Sequence, residues 1–250
     1  MITGATSGIG EATAYAAGCE GARLLLTGRR NDRLEALKQD LENNTACEAC
    51  YLGNFDVRKQ ADVNLHLEAL PEDWKSIDIL INNAGLALGL APLHQGEVQD
   101  WETMIDTNIK GLLYVSRWVG RKMAEREAGH IVNVGSIAGK EAYPNGNVYV
   151  ATKHAVDGLT RAMRMDFLPF GVKVGQIAPG HVETEFALNR FHGDSERAGK
   201  VYENFRPLMP EEVADAILFM ITRPATVNVN DMVLMARHQA SATHIHRNPK

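Results

Sequence analysis

The sequence predicts an α/β fold: a doubly wound parallel β-sheet with helices on both faces. Short runs rich in Ile, Leu and Val alternate with amphipathic stretches, which is the pattern of repeated β-α-β units. The chain has 250 residues and a hydrophobic fraction of 45%, enough for one large domain with a full core. We find no internal repeat or long linker, so residues 1–250 are expected to form a single domain.

The predicted strands are short and apolar, as expected for strands that helices cover on both faces. They are Ala22–Thr27, Ala49–Phe55, Ile77–Asn82, His130–Gly135, Val172–Ile177 and Asp231–Met235. A further strand should precede Thr3, yet only Met1 and Ile2 are available for it. Either this first strand is unusually short, or the sequence lacks a few leading residues.

Helices are predicted at Asp32–Asn43, Glu97–Arg126 and Asn147–Phe167. The first places its leucines on one face, with a cap at Asn31 or Asp32. The second carries apolar residues on more than one stripe: Met104, Ile105, Ile109, Leu112, Leu113, Val115, Val119 and Met123. A helix of this kind is buried on two sides, either within its own chain or in a subunit interface.

Charge and composition exclude several classes of function. The net charge of −5 argues against nucleic acid as the main partner, because a phosphate backbone requires a clustered basic surface. No apolar run is long enough to span a membrane, and the start of the chain shows no signal peptide. Three cysteines, an odd number, favour a reducing compartment, so we expect a soluble cytoplasmic protein.

No metal site is predicted. Cys47 and Cys50 form a single C-x-x-C, which lacks the further ligands of a zinc site and is interpreted as two semi-buried small side chains. The histidines near the C-terminus, at 238, 244 and 246, have no carboxylate or thiolate partner at a suitable spacing.

A glycine-rich segment at the start of the chain predicts a phosphate-binding loop. Its glycines permit a tight turn and a close approach of a pyrophosphate to the backbone, and the amides of the helix that follows face the anion. The context of helix, strand and charged residues strengthens this interpretation. The candidate cofactor-binding residues here are Gly4, Thr6, Ser7, Gly8, Ile9 and Gly10.

The end of the second strand predicts the cofactor. NAD-binding sites usually carry an acidic residue there, which accepts a hydrogen bond from the ribose 2′-hydroxyl. This chain has Arg29 and Arg30 instead, and a guanidinium can fork onto a 2′-phosphate and stack on adenine. We therefore predict NADP(H); the alternative is a pair of solvated surface arginines.

Tyr149 and Lys153 stand four residues apart, on one face of a predicted helix, and Ser136 follows a strand at its carboxyl end. Moving a hydride to or from a carbonyl carbon also requires the transfer of one proton. Tyrosine has a pKa of about 10, so work near neutrality needs a fall of about 3 units, or about 4 kcal/mol. A cation about 4 Å away supplies about that much at an effective dielectric constant of about 20. Tyr149 is thus the candidate general acid/base, Lys153 its cationic neighbour, and Ser136 the group that orients the substrate oxygen.

These motifs together resemble the short-chain dehydrogenase/reductase family over nearly the whole chain. The resemblance rests on the segments Thr3–Gly10 and Asn82–Gly85, on Asn108, Ser136, Tyr149 and Lys153, and on Pro179-Gly180. The segments 83–89, 100–108 and 182–186 are similar to a narrower branch, the NADP-dependent 3-hydroxy acid dehydrogenases, which oxidise serine, allo-threonine and related acids.

The resemblance implies a Rossmann-type fold, a homotetramer and further roles. Asp56 and Val57 should contact adenine, and residues 83–85 should support the adenosine ribose. Asn108 resembles a fourth catalytic residue, which helps hold a water molecule in a proton relay behind the lysine. The implied cofactor-binding residues are Asp56, Val57, Asn83, Ala84, Gly85, Tyr149, Lys153, Pro179, Gly180, Val182 and Thr184.

A 3-hydroxy acid carries a carboxylate, so its site requires a cation. We expect a helical lid at about residues 184–201 and hypothesise that Arg190 on this lid forks onto the substrate carboxylate, next to Ser136 and Tyr149. The alternatives are a surface arginine or an interface salt bridge. His181 is interpreted as a packing or orienting residue.

Two alternatives to a 3-hydroxy acid dehydrogenase remain at this point. The first is a broader NADPH-dependent carbonyl reductase, which the sequence barely distinguishes. The second is a non-catalytic NADPH sensor, which would be expected to lack the tyrosine or the lysine. The C-terminal extension at about residues 236–250 departs from the wider family pattern of an acidic residue followed by glycines, and it can be a lid, an interface or a frayed tail.

Overall fold

All seven strands of the computed structural model, which describes residues 1–248, run parallel in one sheet. Their order in space is β3-β2-β1-β4-β5-β6-β7. The strands are β1 Ile2–Thr3, β2 Arg23–Gly28, β3 Ala49–Asn54, β4 Ile79–Asn82, β5 His130–Val134, β6 Lys173–Pro179 and β7 Asp231–Leu234. The strand order reverses between β1 and β4, and the carboxyl ends of strands at such a point form a crevice that binds ligands.

The helices between the strands cover both faces of the sheet. They are α1 Gly8–Cys19, α2 Asn31–Asn44, α3 Gln60–Glu68, α4 Glu72–Lys75, α5 Val98–Ile105, α6 Leu112–Glu125, α7 Asn147–Phe167, α8 Phe186–Arg190, α9 Ser195–Tyr202 and α10 Pro210–Ile221. The core is divided accordingly. Leu26 on β2 packs with α1, α2 and α10, whereas Leu25, its neighbour, packs with α3, α6 and α7 on the opposite face. This alternation is the pleat of a strand buried on both sides.

The predicted doubly wound parallel sheet is confirmed, and the bounds of the predicted strands differ from the observed ones by at most two residues. The first strand is two residues long, yet it pairs with both neighbours: Ile2 lies opposite Leu26 on one side and Ile81 on the other. Its shortness therefore does not interrupt the sheet.

The long helix predicted at Glu97–Arg126 is interrupted in its middle. Residues Asp106–Gly111 form a π-helical turn between α5 and α6, a feature that often marks a functional site. Most of the apolar side chains that this helix was predicted to bury on two sides pack within the same chain, whereas Ile105 and Leu113 are each 38% exposed. Burial within the chain accounts for most of the apolar pattern.

Among residues 1–248, no helix is long and apolar enough to cross a membrane. The same residues contain no group of three or more His, Cys, Asp or Glu side chains that could hold a metal ion. Cys47 and Cys50 are free thiols whose sulfur atoms lie 3.3 Å apart, with Cys50 buried beneath the surface.

Candidate active site

The glycine-rich loop joins β1 to α1 and requires its glycines. Gly4 and Gly8 adopt φ angles of +65° and +56°, which glycine alone adopts readily. A Cβ on Gly10 would lie 2.4 Å from the carbonyl oxygen of Gly4 and 2.4 Å from Nδ2 of Asn83. That amide donates to the carbonyl oxygens of Thr3 and Gly4, at 2.9 and 3.0 Å, so Asn83 ties the loop to β4.

Helix α1 begins at the loop, and its first residues, Gly8 and Ile9, line the cavity above the sheet. Ser7 precedes its first turn, and its side chain does not cap the helix. Thr184 lies close by: a Cβ on Gly8 would approach its methyl group to 2.9 Å. The positive end of the helix dipole and the free amides make this a suitable site for a pyrophosphate.

The two arginines after β2 lie in different surroundings. Arg30 donates to Oγ1 of Thr6 at 2.9 Å and to Oγ of Ser7 at 2.9 Å, and it forms a 3.0 Å ion pair with Glu185. Arg29 is exposed, and no salt bridge to it occurs in the described part of the chain. Arg30 therefore braces the phosphate loop, and Arg29 is the arginine available to a 2′-phosphate.

Glu185 was not singled out by the sequence. Its second carboxylate oxygen pairs with Arg33 of α2 at 2.7 Å, so one carboxylate joins the predicted lid to both Arg30 and the start of α2. Hydrogen bonds from these two arginines lower the pKa of Glu185. The carboxylate is consequently charged near neutrality.

Asp56 and Val57 follow β3 and line the same cavity. The Asp56 carboxylate is bound by Arg58, whose Nη2 lies 2.6 Å from Oδ2. Burial alone would raise the pKa of Asp56, but the hydrogen bonds from Arg58 outweigh it and the pKa is lowered. Arg58 therefore fixes the orientation of this carboxylate at the rim of the cavity.

The catalytic candidates Ser136, Tyr149 and Lys153 meet where β5 ends and α7 begins. All three are buried, with exposed fractions of 8%, 8% and 7%. The Lys153 ammonium donates to the carbonyl oxygen of Val134, the last residue of β5, at 2.9 Å. Oγ of Ser136 accepts a hydrogen bond from the amide of Ala138 at 3.1 Å, which holds the serine at the end of the strand.

The electrostatic balance at Tyr149 differs from the sequence-based argument. Burial raises the pKa of Tyr149, and the nearby Tyr143 adds to the rise, while hydrogen bonding with Ser136 and the charge of Arg190 lower it. Burial also lowers the pKa of Lys153 to about 8. Burial of the phenol therefore opposes the lowering of its pKa by a cationic neighbour, and the sequence-based argument omitted this cost of desolvating the phenolate.

Asn108 lies in the π-helical turn and is 2% exposed. Its Nδ2 donates to the carbonyl oxygen of Leu86 at 2.8 Å and to Oγ1 of Thr152 at 3.0 Å, and its Oδ1 accepts from the amide of Leu86 at 2.9 Å. Both polar atoms of the Asn108 amide are thus hydrogen-bonded to other protein groups, and these bonds join the segment after β4 to α7.

Arg190, at the end of α8, reaches the catalytic candidate Tyr149. Its Nε donates to the carbonyl oxygen of Gly89 at 3.1 Å, and its Nη2 donates to the hydroxyl of Tyr143 at 3.1 Å. The guanidinium carbon lies 5.6 Å from the ring centres of both Tyr143 and Tyr149. It is neither a solvated surface arginine nor part of a salt bridge within the described chain.

The predicted site residues are brought together around one cavity of about 570 Å³. Most of the predicted cofactor-binding residues line it, from the glycine-rich loop to Pro179, Gly180, Val182 and Thr184. Gly10, Asn108 and Arg190 lie just behind or beside its wall. Sequence reasoning missed Tyr143 and Phe186. The centre of the Phe186 ring lies 5.6 Å from that of the Tyr149 ring. The position of Tyr143, in the loop between Ser136 and Tyr149, was the signal available for it.

The sequence relatives agree with this geometry. The chain matches the short chain dehydrogenase family over residues 1–194. The NADP-dependent 3-hydroxy acid dehydrogenase YdfG of Salmonella typhi is 46% identical over 243 residues, covering 97% of this chain and 96% of that protein. The NADP-dependent 3-hydroxy acid dehydrogenase of Schizosaccharomyces pombe is 40% identical over 248 residues, covering 99% and 95%.

Solved structures have the same arrangement of strands and helices. The closed form of a serine dehydrogenase complexed with NADP⁺ superimposes with a TM-score of 0.92 at 45% identity, over 98% of both chains. A serine dehydrogenase from Escherichia coli superimposes with a TM-score of 0.82 at 41% identity, over 95% of this chain and 97% of that one. The family match over most of the chain and these identities confirm the predicted family: the chain belongs to the short-chain dehydrogenases.

Proposed function

We propose that this protein is an NADP(H)-dependent oxidoreductase that moves a hydride between the cofactor and the hydroxyl-bearing carbon of a small 3-hydroxy acid. The observation that carries the substrate class is the guanidinium of Arg190, 5.6 Å from the ring of the catalytic candidate Tyr149. The relatives named as NADP-dependent 3-hydroxy acid dehydrogenases, and the serine dehydrogenase solved with NADP⁺, support the same reaction and the same cofactor.

The residues at the crevice fit NADP(H). Gly4 and Gly8, which have positive φ angles, and the amides at the start of α1 would surround a pyrophosphate. Side chains at the glycine positions would occupy the space that the pyrophosphate needs. Arg29 is available to a 2′-phosphate next to Asp56 and Val57, which would contact adenine. Pro179, Gly180, Val182 and Thr184 would hold the nicotinamide end, near Lys153.

NADP⁺, when bound, supplies the hydride acceptor and a positive charge next to the tyrosine. Tyr149 takes the proton of the substrate hydroxyl as the carbon gives up its hydride, and in the reverse direction it returns that proton to the carbonyl oxygen. Ser136 orients this oxygen from the end of β5. Because burial lowers the pKa of Lys153 to about 8, the lysine can pass a proton onward as well as supply charge.

Asn108 is assigned a positioning role in this proposal. Its amide links Leu86 to Thr152 and so keeps α7 in register with the segment after β4. That Asn108, which lies in the π-helical turn, helps to hold a water molecule in a proton relay stays a prediction.

We assign residues 184–201 as the lid. Its α8 carries Arg190, which would fork onto the substrate carboxylate, and the hydroxyl of Tyr143, 3.1 Å from Nη2, would orient the guanidinium. A homotetramer and a cytoplasmic location are part of the proposal. Ile105 and Leu113, each 38% exposed, are available to a subunit interface.

The test is the initial rate of nicotinamide reduction with L-serine, L-allo-threonine and 3-hydroxyisobutyrate, each with NADP⁺ and with NAD⁺. Oxidation of the acids with a strong preference for NADP⁺ is the expected result. Activity on neutral alcohols or ketones alone would contradict the proposed acid-binding site and would indicate a broader carbonyl reductase. Binding of NADPH without turnover of any of these compounds would contradict catalysis.

A further inference from the structure

We propose that Gln239, in the C-terminal extension, is a positioning residue that holds the nicotinamide loop (residues 179–184) through both polar atoms of its amide. Its Oε1 accepts from the backbone N–H of His181 at 2.9 Å, and its Nε2 lies 2.8 Å from Nδ1 of the same histidine. The side chain is 4% exposed. This inference rests on the proposed function, since the nicotinamide loop is assigned there.

Only one orientation of the amide satisfies these contacts. If the amide were flipped, its NH₂ group would face the backbone N–H of His181, and two donors would meet. The observed orientation makes Nδ1 of His181 an acceptor, so the ring proton lies on Nε2. Gln239 thereby determines the tautomer of His181 as well as the position of its backbone.

His181 is itself held on its other side. Its ring packs edge-on against Phe205, with the ring centres 5.8 Å apart. The amide of Leu208 donates to the carbonyl oxygen of His181 at 2.9 Å. The residue between Gly180 and Val182 is therefore fixed by its ring, its N–H and its carbonyl group together.

The contact is so close that a side chain at position 180 would displace the Gln239 amide. A Cβ on Gly180 would lie 2.3 Å from Oε1 of Gln239. The amide of Gly180 also donates to the carbonyl oxygen of Leu234 at the end of β7, at 2.8 Å. The loop thus rests directly on the C-terminal extension and the end of β7.

The rest of the extension joins two further parts of the site. The amide of Ala242 donates to Oε2 of Glu141 at 2.8 Å, in the loop that follows Ser136. Arg247 donates to the carbonyl oxygens of Val201 and Glu203, at the end of the lid. The described part of the extension, residues 236–248, therefore connects the loop that follows Ser136, the nicotinamide loop and the lid. Residues 249 and 250 of the predicted extension lie outside the described residues.

The expected consequence concerns the nicotinamide end of the cofactor. A misplacement of about 1 Å costs about 100-fold in rate when reacting atoms must be aligned. The adenosine end is assigned beside Arg29 at the end of β2, five strands away from β7 in the sheet. The variant Gln239→Met keeps the length of the side chain and removes both hydrogen bonds to His181, together with the 3.1 Å hydrogen bond from Nε2 to the carbonyl oxygen of Ser241. We expect its kcat to fall about 10- to 100-fold and its affinity for NADP⁺ to weaken, with no change in affinity for 2′,5′-ADP, which lacks the nicotinamide.

Affinities are measured by titration calorimetry on the full chain, and kcat by steady-state oxidation of a hydroxy acid. The matched control is Thr243→Ala, an exposed position of the same extension, which should behave as the parent protein in every assay. Gln239→Glu is the second variant. Its carboxylate can accept from the N–H of His181 and from the other ring tautomer, and it loses the hydrogen bond to Ser241, so it should retain more activity than Gln239→Met.

Three results would overturn the proposal. They are an unchanged kcat and NADP⁺ affinity in Gln239→Met, an equal loss of NADP⁺ and 2′,5′-ADP affinity, and equal damage in the Met and Glu variants. A parent protein that binds NADP⁺ but oxidises no hydroxy acid would contradict the proposed function instead. The ratio of NADP⁺ to 2′,5′-ADP affinity would then still test Gln239 by itself.

Discussion

The guanidinium carbon of Arg190 lies 5.6 Å from the centre of the Tyr149 ring. A cation carried by the predicted lid therefore faces the phenol that is assigned the proton transfer, and it helps to lower the pKa of that phenol against the effect of burial. In the proposed reaction, one side chain would link the recognition of an acidic substrate to the acid/base chemistry.

Replacing this cation should affect acidic substrates selectively. We expect Arg190→Met to raise KM for L-serine about 10- to 100-fold, because a hydrogen bond to a charged group contributes about 1.5–3 kcal/mol. The KM of an uncharged alcohol should change far less. Arg197→Met is the matched control: Arg197 lies on α9 of the same lid, with its guanidinium 4.4 Å from the Phe191 ring centre. Equal effects of Arg190→Met on both substrates would refute the assignment.

Removal of the phenolic hydroxyl should stop proton transfer without preventing cofactor binding. We expect Tyr149→Phe to lower kcat about 10²- to 10⁴-fold, the usual contribution of a positioned acid/base. NADP⁺ affinity, measured by calorimetry, should stay near that of the parent. Tyr143→Phe offers a comparison, because it removes only the hydroxyl that Arg190 contacts and should raise KM for acids more than it lowers kcat. A Tyr149→Phe variant with near-normal kcat would exclude Tyr149 as the general acid/base.

The two arginines after β2 should have separable effects on the choice of cofactor. Arg29→Gln is expected to weaken NADP⁺ about 10- to 100-fold and to leave NAD⁺ little changed, since a charged hydrogen bond to the 2′-phosphate is lost. Arg30→Gln should weaken both cofactors, because Arg30 holds Thr6 and Ser7 of the phosphate loop. The measurement is kcat/KM with each cofactor. If only Arg30→Gln lowered kcat/KM for NADP⁺ selectively, Arg30 and not Arg29 would be the arginine that binds the 2′-phosphate.

His130 should make the protein less stable in mild acid. The residue is 3% exposed, neither of its ring nitrogens has a partner among the described residues, and burial lowers its pKa to about 4. Free histidine has a pKa of about 6.5, so the unfolded state binds more protons between these values. The free energy of unfolding should therefore fall as pH drops from about 6.5 toward 4, by up to about 3 kcal/mol.

The substitution His130→Leu should remove this part of the pH dependence. Denaturant unfolding at pH 7 and pH 5 would measure it, with His94→Gln, at an exposed position, as the control. The idea fails if the difference in stability between pH 7 and pH 5 is the same in His130→Leu as in the parent protein.

Local features of this protein could be predicted from its sequence, whereas non-local features could not. Strand bounds agree within two residues because apolar runs and glycine turns are local signals. The pairing of Tyr149 with Lys153 follows from helical spacing. In contrast, the interruption of the helix at Asp106–Gly111 and the different partners of Arg29 and Arg30 depend on contacts with distant segments. Glu185 stands 155 positions from Arg30 along the chain, and no local pattern indicates that they meet.

The sequence alone determined the fold class and the family, and it predicted the phosphate loop and the catalytic set, because each is encoded by residue types at short, regular spacing. Only the tertiary structure decided how strongly Tyr149 is desolvated, what Arg190 faces and what the C-terminal extension contacts. These properties arise from burial and from hydrogen bonds between segments far apart in sequence, such as Gln239 and His181. Desolvation and long-range contact depend on three-dimensional packing, and that packing exists only once the sheet and its helices have assembled.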